Sequence, residues 1–293
     1  MFESLLVPLD QSKFSERSLP TAIALAGESG ATLHLVHVHV PHVPYQYEGL
    51  DLNEYDGKDK IRDEEYLDEV ARRVSGPLRD RPSTSVLDGP VPAAIERFAD
   101  QSDADLIVIT RHGQEGVSRL RKESVTDVLA REIEKPILIL HPVGREARVR
   151  EPTHFDEVLV CLDGSDASGA IREPARDLGQ LGAHLTLLHV VGAQPYSPPV
   201  CQKEGKKVWI GEYLRSMARK LEEDCPSVRI QVRWARAPAT AILRAAQELQ
   251  TDLIALGTEG HGHLHRFRLG SVADEVLRNS PLPVLLRRPP IPA

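Results

Sequence analysis

Aromatic residues are scarce, at 4% of 293 positions. That is too few for the stacked platforms on which single-strand nucleic-acid binders lay successive bases. Positive charge is in deficit, with 36 Lys+Arg against 43 Asp+Glu and a net charge of −7. A general nucleic-acid binder needs the opposite balance, so no nucleic-acid partner is expected. Cysteine is limited to Cys161, Cys201 and Cys225, an odd number without CxxC spacing. They read as reduced thiols of a cytoplasmic protein, and a structural zinc held by cysteine is not expected. No apolar run approaches bilayer length; Ile137–Leu140 is among the longest. The opening MFESLLVPLDQS carries acids and no basic stretch, so neither a signal peptide nor a membrane partner is expected.

What is present is enough apolar residue for two ordinary cores, 41% hydrophobic against 27% charged. The chain repeats itself. LLVPLDQS (5–12) returns as VLVCLDGS (158–165), ATLHLVHV (31–38) as AHLTLLHV (183–190), and ADLIVIT (104–110) as TDLIALG (251–257). SVTDVL (124–129) returns as SVADEV (271–276), and KPILIL (135–140) as LPVLLR (282–287). Order is kept and the offset drifts only between 147 and 153, so one domain occurs twice, over 1–143 and 155–293. The Arg-rich stretch 144–154 reads as the linker. Charge is divided unequally. Residues 1–150 hold 19 basic and 26 acidic side chains, whereas 151–293 hold 17 of each, so the second copy accommodates an anion more easily.

Each copy alternates apolar strand and amphipathic helix. In the first, strands are expected at Leu5–Leu9, Leu33–Val40, Val86–Leu87, Leu106–Ile109 and Ile137–Leu140. Helices are expected at Ser12–Ala26, Asp59–Val74, Val91–Ala99 and Ser124–Ile133, with a polar connection over 41–58. This order predicts an α/β fold with a mostly parallel, doubly wound sheet and a ligand site beyond the carboxyl ends of the strands.

In the second copy the fourth strand runs into Gly257-Thr-Glu-Gly260, then nine residues, then Gly270-Ser271 and a helix. Glycine lets backbone N–H groups approach a ligand, and a helix N-terminus favours phosphate. Ser271 is placed to cap that helix, with Asp274 at capping-box spacing. His261, His263, His265, Arg266 and Arg268 add basic character between the glycines. This is neither a P-loop nor the dinucleotide turn.

G-x2-G-x9-G-S after a fourth strand, Asp163 closing the first strand and the LTLLHV second strand together resemble the universal stress protein family, matched twice along nearly the whole chain. The resemblance implies two tandem five-stranded domains of the adenine-nucleotide α-hydrolase-like, universal stress protein fold. It implies a stress-response regulator that binds ATP, with or without magnesium, at Asp163, Val190, Gly257, Gly260, Gly270, Ser271 and Val272. It also implies pairing of the two domains within the chain through their last strands, and homodimer formation. Two other readings stay open: a nucleotide-free oligomeric scaffold, and a slow ATPase. No nucleophile–base pair stands out, so at most weak hydrolysis is expected.

The first copy departs from the motif, with Thr110 at the place of Gly257 and Glu123 at that of Gly270, although Gly113 and Ser124 are kept. A carboxylate at a phosphate position argues that this copy binds ATP poorly or not at all. In the second copy Arg236 stands where the first has Gly89; whether it assists or blocks the site is open. Asp163 and Asp10 also read as simple caps of the first helix of each copy, a role compatible with binding. His37 and His39 share a strand face, and the acidic run Glu48–Glu69 reads as a solvated helix face rather than a calcium loop.

Overall fold

A computed structural model describes residues 1–41, 52–111, 124–141, 152–192, 200–258 and 269–289, with backbone alone at 52–56, 166–167 and 200–207. The first repeat contains β1 (Ser4–Pro8), a 3₁₀ turn (Ser15–Ser18), α1 (Leu19–Ser29), β2 (Thr32–His39), α2 (Leu52–Val74) and β3 (Ser83–Asp88). It continues with α3 (Val91–Gln101), β4 (Leu106–Thr110), α4 (Val125–Glu132) and β5 (Ile137–Leu140). The second contains β6 (Glu157–Cys161), α5 (Asp166–Gly169), α6 (Arg172–Gln180), β7 (His184–Gly192) and α7 (Val200–Arg219). It ends with β8 (Val228–Ala235), α8 (Pro238–Glu248), β9 (Leu253–Gly257), α9 (Ser271–Asn279) and β10 (Val284–Arg287). The linker expected at 144–154 lies mostly outside the described residues.

Residue chemistry accounts for the elements. β4 and β9 are unbroken apolar runs, buried along nearly their whole length, as central parallel strands require. The edge strands β3 and β8 have no buried position; β3 is partly buried along its middle, and β8 mixes partly buried and exposed residues. Proline in the first turn starts α1, α3 and α8, where its missing N–H costs nothing. Gly30 ends α1 in the left-handed conformation at φ 75°, its N–H returning to Ala26 O.

The chain divides into two compact units, Phe2–Leu129 with Val149–Thr153, and Ala130–Arg148 with His154–Ala293 and Met1. In the amino-terminal unit the strand order is β3-β2-β1-β4, all parallel. In the carboxy-terminal unit it is β8-β7-β6-β9-β10-β5. Here β10 runs parallel to β9 and antiparallel to β5, with Val284 opposite Ile139 and Leu286 opposite Ile137. Arg288, only 5% exposed, donates from Nη1 to the carbonyls of Arg131 and Glu132 at the end of α4. A cation there complements the helix dipole.

The two repeats agree down to single hydrogen bonds. Asp105 Oδ2 accepts from the backbone of Glu3 (2.6 Å) and Ser4 (3.3 Å), pinning the start of β1 to the entrance of β4. Asp252 Oδ2 accepts from Asp156 and Glu157 (both 2.9 Å) and does the same for β6 and β9. Asp103 and Gln250, both at positive φ, end the preceding helices. Asp252→Ala strips two amides of a charged acceptor, so it should cost the carboxy-terminal unit about 2 kcal/mol in urea unfolding. Asp252→Asn, which keeps one acceptor oxygen, should lose clearly less.

Candidate functional site

The strand order reverses between β6 and β9, because β7 and β8 extend to one side of β6 and β9 and β10 to the other. A crevice opens beyond the carboxyl ends of the strands at such a point. Register aligns Cys161 with both Leu188 and Leu256, so Asp163, Val190 and Gly257–Thr258 follow at the ends of three adjacent strands. Asp163 shapes its own turn: Oδ1 accepts from Ser165 N (2.9 Å) and Ser165 Oγ (2.6 Å), and its N–H donates to Ser168 Oγ. Asp10 builds the same turn with Ser12 and Ser15. Neither aspartate caps the helix that follows: each closes a turn onto the serine two residues on, and that serine takes the next amide, Ser165 Oγ from Ser168 N–H and Ser12 Oγ from Ser15 N–H (both 3.0 Å).

Gly164 holds φ 87° in that turn, and a Cβ added to it would lie 2.5 Å from Cη2 of Trp209. The indole of Trp209, from α7, is 49% exposed and stacks on Tyr213 at 5.8 Å. It covers the flank of the Asp163 turn. Sequence reasoning missed it, since no spacing ties an isolated tryptophan to a turn some 45 residues away.

At the other side of the switch point the Gly270 N–H donates to Thr258 O (2.7 Å), drawing the start of α9 onto the end of β9. Gly270 itself is the N-cap, and no side chain caps the helix. This corrects the expectation for Ser271. It is the first helical residue, exposed, and Asp274 pairs with Arg278 at 2.9 Å rather than closing a capping box. The amides of Ser271, Val272 and Ala273, which no helix can satisfy internally, are thus left without a side-chain cap. Gly260, His261, His263, His265, Arg266 and Arg268 lie outside the described residues. Arg236 is exposed, on the turn between β8 and α8, and the Gly89 it replaces sits at φ 114°.

The first repeat treats the same place differently. Ser124 does cap α4, accepting from Asp127 N (3.1 Å), and Arg111 pairs with the Asp127 carboxylate (3.1 Å). Thr110 Oγ1 donates to Phe14 O, and Thr126 Oγ1 to Thr110 O. Gly113 and Glu123 lie outside the described residues. A cavity of about 860 Å³ nevertheless opens here, between the ends of β1, β2 and β4 and the helices α2, α3 and α4. In its wall Asp63 accepts from Gln11 Nε2 (2.5 Å) and from His39 Nδ1 (2.6 Å), with His37 Nε2 3.6 Å away. His37 Nδ1 faces the Leu9 carbonyl at 2.8 Å. The sequence placed both histidines on one face but gave Asp63 no role, because it was one acid among many on a charged helix.

The buried cysteines take no part. Burial pushes the Cys161 thiol far above its ordinary value, and burial with Asp224 beside it pushes Cys225 up to about 11. Among the described residues no group of three or more His, Cys, Asp or Glu is arranged to hold a metal ion. No described helix is long and apolar enough to cross a membrane.

The universal stress protein family model matches residues 1–141 and again 154–288. A universal stress protein of Mycolicibacterium smegmatis is 27% identical over 301 residues, spanning 97% of each chain. One from Thermus aquaticus is 33% identical over 142 residues, covering 46% of this chain and 99% of its own. Among solved structures, a universal stress protein from Archaeoglobus fulgidus superposes with TM-score 0.67 at 22% identity, over 97% of this chain and 96% of that one. A Pseudomonas aeruginosa structure gives 0.62 at 18% identity, over 98% and 94%. Both share the fold along its whole length. With the family model matched once in each repeat and the Asp105 and Asp252 hydrogen bonds repeated between them, the chain belongs to the universal stress protein family and carries its domain in tandem.

Proposed function

We propose that this chain is a regulatory protein that binds ATP in its second repeat, at Asp163, Val190, Gly257, Gly260, Gly270, Ser271 and Val272. The observation that carries the reading is the glycine-capped start of α9, whose first-turn amides face no side-chain cap. A serine or aspartate at the cap would satisfy those amides itself; glycine leaves them to a phosphate. Residues 151–293 are also neutral overall where residues 1–150 carry −7. The first repeat, with its α4 start closed by Ser124, acts as a partner rather than a second ATP site. β5, from the first repeat, is built into the carboxy-terminal unit, antiparallel to β10. Regulation then follows from a difference in ATP affinity between two states of the protein.

Mass spectrometry of the purified, denatured protein and calorimetry with ATP test the reading together. Co-purified adenine nucleotide, or heat and a raised melting temperature at millimolar ATP, is the expected result. Neither signal would leave the competing reading, a nucleotide-free scaffold. That reading is favoured by Trp209, whose indole already packs on the turn of Asp163.

A further inference from the structure

We propose that the cavity of the amino-terminal unit binds a small organic cation, an amine or amidine on an apolar body, with the Asp63 carboxylate as its charge partner. A volume of about 860 Å³ suits a small-molecule site. Leu9, Val38, Val91, Ile95 and Ile109 supply apolar wall for the body of such a ligand.

The charge of the lining selects the sign. Asp10, Asp59 and Asp63 face one permanent cation among the described lining residues, Arg62, which is held on Asp59 at 3.1 Å. The end that would receive phosphate is closed from within. Ser124, Thr110 and Thr126 spend their hydroxyls on protein partners, and Arg111 is paired with Asp127. Asp63 accepts one donor on each oxygen, Gln11 Nε2 and His39 Nδ1, and a carboxylate has room for about four, so an incoming N–H of a cation finds acceptor capacity.

The fold does not require this polar pair. The buried row Leu67, Ala71 and Val74 of α2 recurs as Leu214, Ala218 and Leu221, which puts Ile210 in the place of Asp63. Strand register likewise puts Val191 in the place of His39. The second repeat thus fills with two apolar side chains, 2% and 8% exposed, the position where the first buries a carboxylate against an imidazole. Burying such a pair is no efficient route to stability, which points to a ligand as the reason for it.

Calorimetric titration of the full chain with benzamidine, its neutral isostere benzamide, and AMP tests the proposal. Benzamidine should bind saturably, benzamide roughly tenfold more weakly or worse, and AMP should leave the benzamidine isotherm unchanged. Asp63→Asn should weaken benzamidine by about the same factor. The double variant His39→Val with Asp63→Ile installs residues this fold already accepts, so it should stay folded by circular dichroism and lose the cation. Val91→Trp, which fills the cavity without touching the charge, should also remove binding. Equal affinity for benzamide, displacement by AMP, unchanged binding in the folded double variant, or no saturable benzamidine binding at millimolar concentration would each overturn it.

Discussion

Gly270→Glu should lower the ATP affinity of the full chain by at least about a hundredfold, equivalent to about 2.8 kcal/mol. Gly270 is the N-cap of α9 at φ −57° and ψ 146°, ordinary backbone that any residue adopts. Its value there lies in carrying no side chain. Glutamate brings a negative charge to the amides of Ser271, Val272 and Ala273, where the proposed triphosphate would lie. Two unit charges at about 4 Å repel by roughly 1 kcal/mol in water and about 4 kcal/mol at the dielectric of a protein surface, and a triphosphate carries several. The same charge is favourable for the empty helix, because an anion complements its N-terminal dipole. The unliganded variant should therefore melt no lower than the parent, which separates lost binding from lost folding. Gly270→Ser should fall between, since a serine cap occupies one amide and adds no charge. Calorimetry on the three proteins reads the order. Wild-type affinity in Gly270→Glu would place the phosphates elsewhere.

Gly179→Ala is expected to destabilise the carboxy-terminal unit by about 2–3 kcal/mol, although the same change in a helix interior ordinarily helps by about 1 kcal/mol. The reversal comes from Cys225. A methyl group on Gly179 would stand 2.1 Å from Cys225 Sγ and 3.0 Å from its Cβ. Neither can retreat cheaply: Gly179 is buried in α6, and Cys225 is held by its own N–H to Leu221 O. Cys225→Gly in the Gly179→Ala background should recover most of the loss. The two changes should therefore be strongly non-additive in urea denaturation. A stabilised Gly179→Ala single variant would mean that the helix and the Cys225 turn are not in contact.

Much of the architecture was legible because burial dictates it. Ile137–Leu140 was read to the residue, and Leu106–Ile109 to within one, since a strand covered on both faces has no polar positions to blur its limits. Helix starts were read less well. The sequence predicts a connection over 41–58, yet α2 begins at Leu52, because a highly charged sequence gives little apolar period to read there. Ser271 was expected to cap α9 as Ser124 caps α4, but Thr258 accepts the Gly270 N–H and shifts the cap one residue earlier. Pairs formed across the fold left the least trace. Nothing local marks Asp63 as the partner of His39, or Trp209 as the neighbour of Gly164, since each contact depends on how a helix is laid over a strand end.

The pairing of β5 with β10 has a consequence for biosynthesis. The ribosome releases β5 about 140 residues before β10, an interval of roughly 7–30 s at ordinary translation rates. During that time an all-aliphatic strand, Ile137–Leu140, has no β10 to cover that flank. The nascent chain is then most exposed to mispairing with a neighbour on the same polysome. A chaperone that holds extended aliphatic segments would act on this protein after its first half has emerged and before its last strand has.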